Sequence, residues 1–147
     1  MFLKIKKLHP DAKIPERNNN DDAGLDLFAL ENCRVTPGQV TKVKTGISIQ
    51  VCHESDDFDT YCGFICDRSS MGVKGFGKLA GIIDQGYVGE IMVLLTDHTY
   101  PKVSTTIQKG DKIAQIVYQK VETPRIEVVE ELSETSRGNN GFGSSGR

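Results

Sequence analysis

Gly81-Ile82-Ile83-Asp84-Gln85-Gly86-Tyr87-Val88-Gly89 runs directly into Glu90-Ile91-Met92-Val93-Leu94-Leu95-Thr96-Asp97, and these seventeen residues settle the class of fold. Five consecutive apolar residues between polar ones have the length of a buried central strand and are too few for a buried helix. The preceding segment leads small and apolar residues into one carboxylate, then a glycine-rich turn and a lone tyrosine. A strand that delivers an acid to its own end puts that acid at a rim, where functional groups on rigid scaffolds collect. Taken alone, the stretch reads more simply as a β-turn with a solvated Asp.

Outward from this segment the chain continues in short strands. Residues 2–8 make a plausible first strand. In Ala23-Gly24-Leu25-Asp26-Leu27-Phe28-Ala29 the two leucines alternate with Asp26, so a strand there points Asp26 to the opposite face. Solvated and inward positions for Asp26 are both open. Thr36-Pro37-Gly38-Gln39 is a turn, and Ile47, Ile49 and Val51 alternate with Ser48 and Gln50 as a half-buried strand. Residues 61–66 form another strand, ending on Asp67-Arg68-Ser69-Ser70-Met71-Gly72. An Arg with two hydroxyls can bind phosphate oxygens through charge-assisted hydrogen bonds; the plainer reading is a surface turn or a short helix capped by Ser. Residues 103–107 alternate weakly, and Gly110-Asp111-Lys112-Ile113-Ala114-Gln115-Ile116-Val117-Tyr118 is a strand with Gln115 as its conspicuous polar member. No stretch longer than about ten residues has an apolar period of 3.6. Eight or more short strands predict an all-β single domain, a sandwich or a barrel.

Composition narrows the function classes. The chain has 147 residues, 37% hydrophobic and 26% charged, with 15 Gly, enough for one domain with a real core. A net charge of -2 argues against a broad basic surface for direct nucleic-acid binding. The first ten residues, interrupted by Lys4, Lys6 and Lys7, lack a signal-peptide core, and no apolar run reaches the ~18 residues of a membrane span. The expectation is a soluble intracellular protein, cytoplasmic or nuclear, with no membrane partner. Cys33, Cys52, Cys62 and Cys66 read as free thiols rather than disulfides or a zinc knuckle. Glu54, Asp56, Asp57 and Asp59 make an acidic excursion without the Gly and terminal Glu of a calcium loop. The end of the chain, Arg137-Gly138-Asn139-Asn140-Gly141-Phe142-Gly143-Ser144-Ser145-Gly146-Arg147, cannot stabilise itself. It reads as a disordered tail, or as a Gly-rich wrap for polyphosphate with Phe142 free to stack on a base.

Five segments, in this order, carry a resemblance: Ala23-Gly24-Leu25-Asp26-Leu27; Arg68-Ser69-Ser70; Gly81-Ile82-Ile83-Asp84 with Tyr87 and Gly89; Gly110-Asp111-Lys112-Ile113-Ala114-Gln115-Ile116; and Arg137-Gly138 with Gly141-Phe142-Gly143-Ser144-Ser145-Gly146. Together they resemble the five ordered motifs of the trimeric dUTP nucleotidohydrolases, or dUTPases. The chain departs from that pattern at Asp67, where Pro is common, at Ser70, where Gly is frequent, and at Val88, where Arg is frequent. The acidic excursion is also longer than usual for the family.

The resemblance implies a β jelly roll of residues 1–130 and a flexible arm of residues 131–147 that closes over the site. It also implies a homotrimer with active sites shared between subunits. The implied reaction is attack of water on the α-phosphate of dUTP, with magnesium, giving dUMP and pyrophosphate. Asp84 would orient and deprotonate the water, and Gln115 would help hold water and phosphate. Arg68, Ser69 and Ser70 would bind phosphate oxygens, Ser69 stabilising the leaving oxygen. Asp26 would hold a water of the magnesium shell. A hairpin around Lys78, Gly81, Ile82 and Ile83 would pair with uracil through its backbone. Tyr87 would pack under the deoxyribose, with Met92 beside the nucleoside. Phe142 would cover the uracil, with Arg137, Gly143, Ser144 and Ser145 at the phosphates.

Two other classes compete. A dCTP deaminase shares similar Arg-Ser-Ser and Ile-Asp-x-Gly patterns but needs a proton-shuttling Glu on the following strand, where this chain has Leu94. A non-catalytic nucleotide-binding jelly-roll module would not need Asp84, Gln115 and the complete tail pattern.

Overall fold

The computed structural model describes residues 1–54, 59–99, 103–136 and 138. The elements in chain order are β1 (Phe2–Lys7), β2 (Leu25–Phe28), β3 (Cys33–Val35), β4 (Val40–Cys52), β5 (Thr60–Cys66), α1 (Ser69–Val73), β6 (Phe76–Leu79), β7 (Ile82–Ile83), β8 (Glu90–Asp97), β9 (Thr105–Ile107) and β10 (Lys112–Val121). They form two four-stranded antiparallel sheets, ordered β1-β4-β8-β6 and β2-β10-β5-β7, with β3 and β9 as a separate pair. From β4 to β8, successive strands alternate between the two large sheets, the habit of a jelly roll. The all-β expectation stands.

One core joins the sheets. Val43, Ile47, Ile49, Ile91, Val93 and Leu95 come from the first sheet, Leu27, Ile65, Ile113 and Ile116 from the second. Each such burial removes an apolar side chain from water, worth ~1.5–3 kcal/mol before entropy is counted. On β8 the residues Ile91, Val93 and Leu95 face this core, whereas Met92 and Leu94 are half-buried on the other face. That second face explains the continuous apolar run: Met92 and Leu94 line a cavity together with the segment carrying Asp84, as described below.

Three local features differ from the sequence reading. β4 starts at Val40, well before Ile47, and carries a bulge: Lys44 pairs with Met92, but the next pair is Ser48 with Glu90. Gly46 makes the bulge at φ 69°; its N–H donates to the Glu90 carboxylate at 2.9 Å and its carbonyl accepts from Leu8 N–H at 2.7 Å. Next, the segment from Lys78 to Ile83 is not a paired hairpin. β6 pairs with β8 and β7 with β5, so the chain crosses from one sheet to the other at Ala80 and Gly81. Finally, α1 begins at Ser69 with Arg68 as its N-cap and no side-chain capping bond, so neither serine caps it.

Beyond β10, residues 122–136 carry no strand and are exposed throughout, including Ile126 at 88%, Val128 at 93% and Leu132 at 87%. The expected tail residues Arg137, Phe142, Gly143, Ser144 and Ser145 lie outside the described residues, as do Asp56 and Asp57 of the acidic excursion. Among the described residues no helix is long and apolar enough to cross a membrane.

The bulge makes a stability contrast. A Cβ on Gly46 would lie 3.0 Å from both Ala12 Cβ and Leu30 Cδ1 on backbone at positive φ, while Gly72, in α1, has nothing within 4 Å. Gly46→Ala is expected to destabilise by about 2 kcal/mol, combining left-handed strain with crowding. Gly72→Ala is expected to be neutral or to stabilise by up to ~1 kcal/mol. Chemical denaturation of the two variants reads the difference.

Candidate active site

The second sheet sets the first half of the site. β10 is paired on both edges, and its register puts Gln115 opposite Asp26 of β2 on one side and Cys66 of β5 on the other. Directly opposed residues in a ladder share a face, so Asp26 and Gln115 stand side by side away from the core. β5 ends at Cys66, which brings Asp67, Arg68 and Ser69 to the same spot. Gln115 Nε2 donates to the Asp67 carbonyl at 2.9 Å. Gly24 belongs here for a steric reason: a Cβ there would run into the Gln115 carboxamide oxygen and lie 3.0 Å from its Cβ.

Asp26 is 7% exposed and held between two cations, Arg68 Nε and Lys112 Nζ, each 2.7 Å from a different carboxylate oxygen. Arg68 Nη1 also donates to Ser70 Oγ at 3.3 Å. Lys112 Nζ lies 5.8 Å from the centre of the Phe28 ring, so its stem packs while its charge turns to Asp26. A cavity of about 420 Å³ opens above these groups, lined by Asn18, Asp22, Gly24, Asp26, Arg68, Ser69 and Gln115. The Asn19 backbone N–H, 2.8 Å away, holds the Asp22 carboxyl below its usual range. Hydroxyl, guanidinium and carboxamide groups, donors that phosphate oxygens require, converge on one polar hollow beside the Asp22 and Asp26 carboxylates.

Asp84 lies elsewhere in the chain's fold. Ile82 and Ile83 pair with Phe64 and Gly63 of β5, and the chain then turns, with Tyr87 N–H donating to the Asp84 carbonyl at 3.0 Å. The Tyr87 hydroxyl donates to the Glu90 carbonyl at 3.0 Å. Gly89 permits this, since a Cβ there would lie 2.6 Å from the Tyr87 oxygen. A second cavity, of about 330 Å³, is lined by Lys42, Ile82, Ile83, Asp84, Tyr87, Glu90, Met92 and Leu94. Lys78 Nζ donates to the Ala80 carbonyl at 2.9 Å, and Ile65 N–H to the Gly81 carbonyl at 2.7 Å. Ala80 sits at φ 58° and Gly81 at 123°, so two successive left-handed residues make the sheet crossing. Burial, and with it the charge of Asp84, pushes the neighbouring Cys62 thiol up, and its Sγ donates to the Ile83 carbonyl at 3.3 Å.

Most of the predicted residues that the structure describes fall into two groups, while Lys78 and Gly81 line neither cavity. Asp26, Arg68, Ser69 and Gln115 line the polar cavity; Ile82, Ile83, Asp84, Tyr87 and Met92 line the other; no residue lines both. Ser70 faces a third hollow with Arg68, Lys74 and Lys112.

Known proteins resemble this chain in sequence and in fold. A profile of the dUTPase family matches residues 10–146. The deoxyuridine 5'-triphosphate nucleotidohydrolase of Clostridium tetani is 38% identical, over 99% of this chain and 97% of the relative. That of Paramecium bursaria Chlorella virus 1 is 40% identical, over 98% of this chain and 97% of its own. The chain belongs to the dUTPase family.

Among solved dUTPases, a variant of the Staphylococcus bacteriophage 80alpha enzyme with dUpNHpp superposes with TM-score 0.83 at 29% identity, covering 99% of each chain. A variant of the dUTPase from phage phi11 of S. aureus, in which a structural Mg(II) ion is coordinated, gives TM-score 0.76 at 25% identity, over 89% of this chain and 98% of that one. The dUTPase-family match puts names to the motifs but does not supply every lining residue. Asn18, Asp22, Lys42 and Lys112 were not singled out from sequence. Lys112 stood inside a recognised motif and could have been found there; Lys42 enters only because β4 pairs it with Leu94.

A magnesium ion fits the polar cavity in one way. The described residues hold no cluster of three or more His, Cys, Asp or Glu able to cage a metal, and Asp26 offers a single carboxylate already paired with two cations. Such a donor set suits an ion that draws its main ligands from phosphate and water and meets the protein through one carboxylate.

The Gly24–Gln115 contact is open to a direct check. Gly24→Ala is expected to swing the Gln115 carboxamide off the Asp67 carbonyl, seen crystallographically and as a shift of the Gln115 side-chain NH2 resonances. Gly86→Ala, where nothing lies within 4 Å of the added Cβ, is expected to leave that bond in place.

Proposed function

We infer that this chain hydrolyses dUTP to dUMP and pyrophosphate with magnesium, as a homotrimer whose active sites are shared between subunits. The observation that carries the reading is the separation of the two cavities. Phosphate-binding chemistry stands in one and a carboxylate beside an apolar, nucleoside-sized hollow in the other, with no residue in common. A second copy can bring its Asp84 cavity against the polar cavity of the first. Cyclic association then repeats that junction once per subunit. The exposed apolar residues Ile126, Val128 and Leu132 support this, because residues 122–136 have no surface of their own chain to cover them.

Chemistry follows from the side chains. The Asp84 carboxylate takes one proton from a water whose oxygen bonds to the α-phosphorus, while the bond from that phosphorus to the bridging oxygen breaks. Ser69 donates a hydrogen bond to the departing oxygen, and Arg68 and Ser70 hold pyrophosphate oxygens. Gln115, anchored on Asp67, keeps the water and phosphate in line. Arriving phosphates compete for Arg68 and Lys112, which frees the Asp26 carboxylate to hold a water of the metal shell. Magnesium, when bound, neutralises charge on the phosphate oxygens. The backbone between Lys78 and Ile83 reads the uracil edge. A cytosine there leaves buried polar groups unpaired, a mismatch that can discriminate by ~10⁴ or more. Tyr87 and Met92 flank the sugar.

We assign residues 1–130 to the body and 131–147 to an arm that closes the site, with Phe142 over the base and Arg137, Gly143, Ser144 and Ser145 on phosphates. The enzyme would act where nucleotides are pooled, in the cytoplasm or nucleus, limiting uracil in DNA and supplying dUMP for thymidylate. A deaminase reading has no support at the position it needs: Leu94 lines the Asp84 cavity, and the nearby Glu90 carboxylate is occupied by the Gly46 N–H.

Pyrophosphate release from dUTP, beside dCTP, dTTP and UTP, tests the activity; ammonia from dCTP would overturn it. Asp84→Asn is expected to lower turnover by roughly 10²–10⁴ while leaving the fold intact. Wild-type turnover in that variant would remove Asp84 from its role.

Sharing is tested by complementation. Asp84→Asn and Arg68→Ala are each expected to be inactive alone. After co-refolding at equal ratio, about three quarters of cyclic trimers contain both chains, each with one competent site in three, so activity is expected near a quarter of wild type. No recovery in verified mixed trimers would mean that each site lies within one chain.

A further inference from the structure

β7 is two residues long, yet the Asp84 that follows it must be held to a fraction of an ångström. Its register with β5 pairs Ile83 with Gly63 and Ile82 with Phe64. Continued one way, the same register pairs Gly81 with Ile65, and there Ile65 N–H donates to the Gly81 carbonyl at 2.7 Å. Hydrogen-bonded pairs recur at every second position of an antiparallel ladder. Continued the other way, the next such pair is Gln85 with Tyr61. The backbone has already left the ladder at that point, turning at Asp84 with Tyr87 N–H on the Asp84 carbonyl. The Tyr61 N–H is satisfied all the same: it donates at 2.7 Å to Oε1 of the Gln85 side chain.

We propose that the Gln85 carboxamide stands in for the backbone carbonyl that β7 lacks, and is the positioning residue that fixes Asp84. The substitution lets the main chain leave the sheet one residue early, directing Asp84 into the cavity, while the ladder keeps its last hydrogen bond. Because the Tyr61 backbone N–H can only donate, the amide must present its oxygen to it. Nε2 then faces His53 Nε2 at 3.4 Å, which makes that ring nitrogen the acceptor. Gln85 is thus held at both ends, tying the Asp84 turn to the close of β4 and the start of β5. The catalytic consequence rests on Asp84 being the base; the ladder substitution does not.

Two substitutions in the full-length enzyme separate the parts. Gln85→Met keeps length and bulk but has no acceptor for Tyr61; Gln85→Glu keeps an acceptor at the same reach. Gln85→Met is expected to lower kcat ~10–100-fold with KM for dUTP little changed, since misplacing a catalytic group by about an ångström costs that much. Gln85→Glu is expected to hold kcat within about threefold of wild type, an acceptor being what the position requires. Amide hydrogen exchange gives a readout free of activity: the Tyr61 N–H is expected to be protected in wild type and in Gln85→Glu, and to exchange much faster in Gln85→Met. A merely structural Gln85 would lower melting temperature and leave kcat per folded site unchanged, and that result overturns the proposal. Rapid Tyr61 exchange in wild type overturns it as well, even if Gln85→Met does not fold. Absence of dUTP hydrolysis by the wild type would instead defeat the functional reading, with the Tyr61 exchange data still testing the ladder.

Discussion

β10 is hydrogen-bonded along both edges, and the polar half of the site depends on that. Its inward residues Ala114 and Ile116 are fully buried, Ala114 opposite Leu27 and Ile116 between Leu25 and Ile65 across the two ladders. A slip of one residue would expose those side chains and turn Asp26 and Gln115 into the core. The hydrophobic core therefore fixes the register, and the register fixes the spacing of Asp26, Gln115 and Arg68. Precision at the site is inherited from packing that has no chemistry of its own.

Within that frame, electrostatics explains how a nearly buried carboxylate can wait for a substrate. Desolvating Asp26 is unfavourable unless opposite charges offset it. Arg68, just beyond the end of β5, and Lys112, at the start of β10, supply that offset from two directions. Both cations are part-exposed and line the hollow beside Ser70, so they remain able to meet an anion. The ion triad holds these three charges in fixed mutual positions at the edge of the cavity.

Much of the fold was legible because its signals are local. The run from Ile91 to Leu95, the alternation around Asp26 and the strand carrying Gln115 each declare a strand from nearest neighbours alone. Asp84 stood out as the one carboxylate of its turn, and Arg68 as a cation beside two hydroxyls at a strand end. What stayed hidden is non-local. The bulge at Gly46 depends on Glu90 reaching across from β8, and no residue beside Gly46 announces it. The apparent hairpin between Lys78 and Ile83 divides between two sheets, a choice made by pairing with β8 and β5. Lys42 and Asp22 enter the cavities through register and loop closure, which periodicity does not encode. Motif order along the chain likewise gave no hint that Asp84 and Gln115 line separate hollows.

The irregularities gather where the chain would meet a nucleotide. Ala80 holds a left-handed conformation, a strain of ~1–2 kcal/mol for a residue with a Cβ. It is retained between two anchors, Lys78 on its own carbonyl and Ile65 on that of Gly81. Immediately beyond, β7 stops after two residues and a side chain completes its ladder. Each feature sacrifices sheet regularity over the few residues that present backbone groups and one carboxylate to a cavity. Ile91, Val93 and Leu95 continue as an ideal strand beneath them. A regular β7 would have carried Asp84 on along the edge of β5. Breaking the strand early turns it toward the cavity with its carbonyl held by Tyr87 N–H, and the side-chain bond from Gln85 keeps the break from becoming slack.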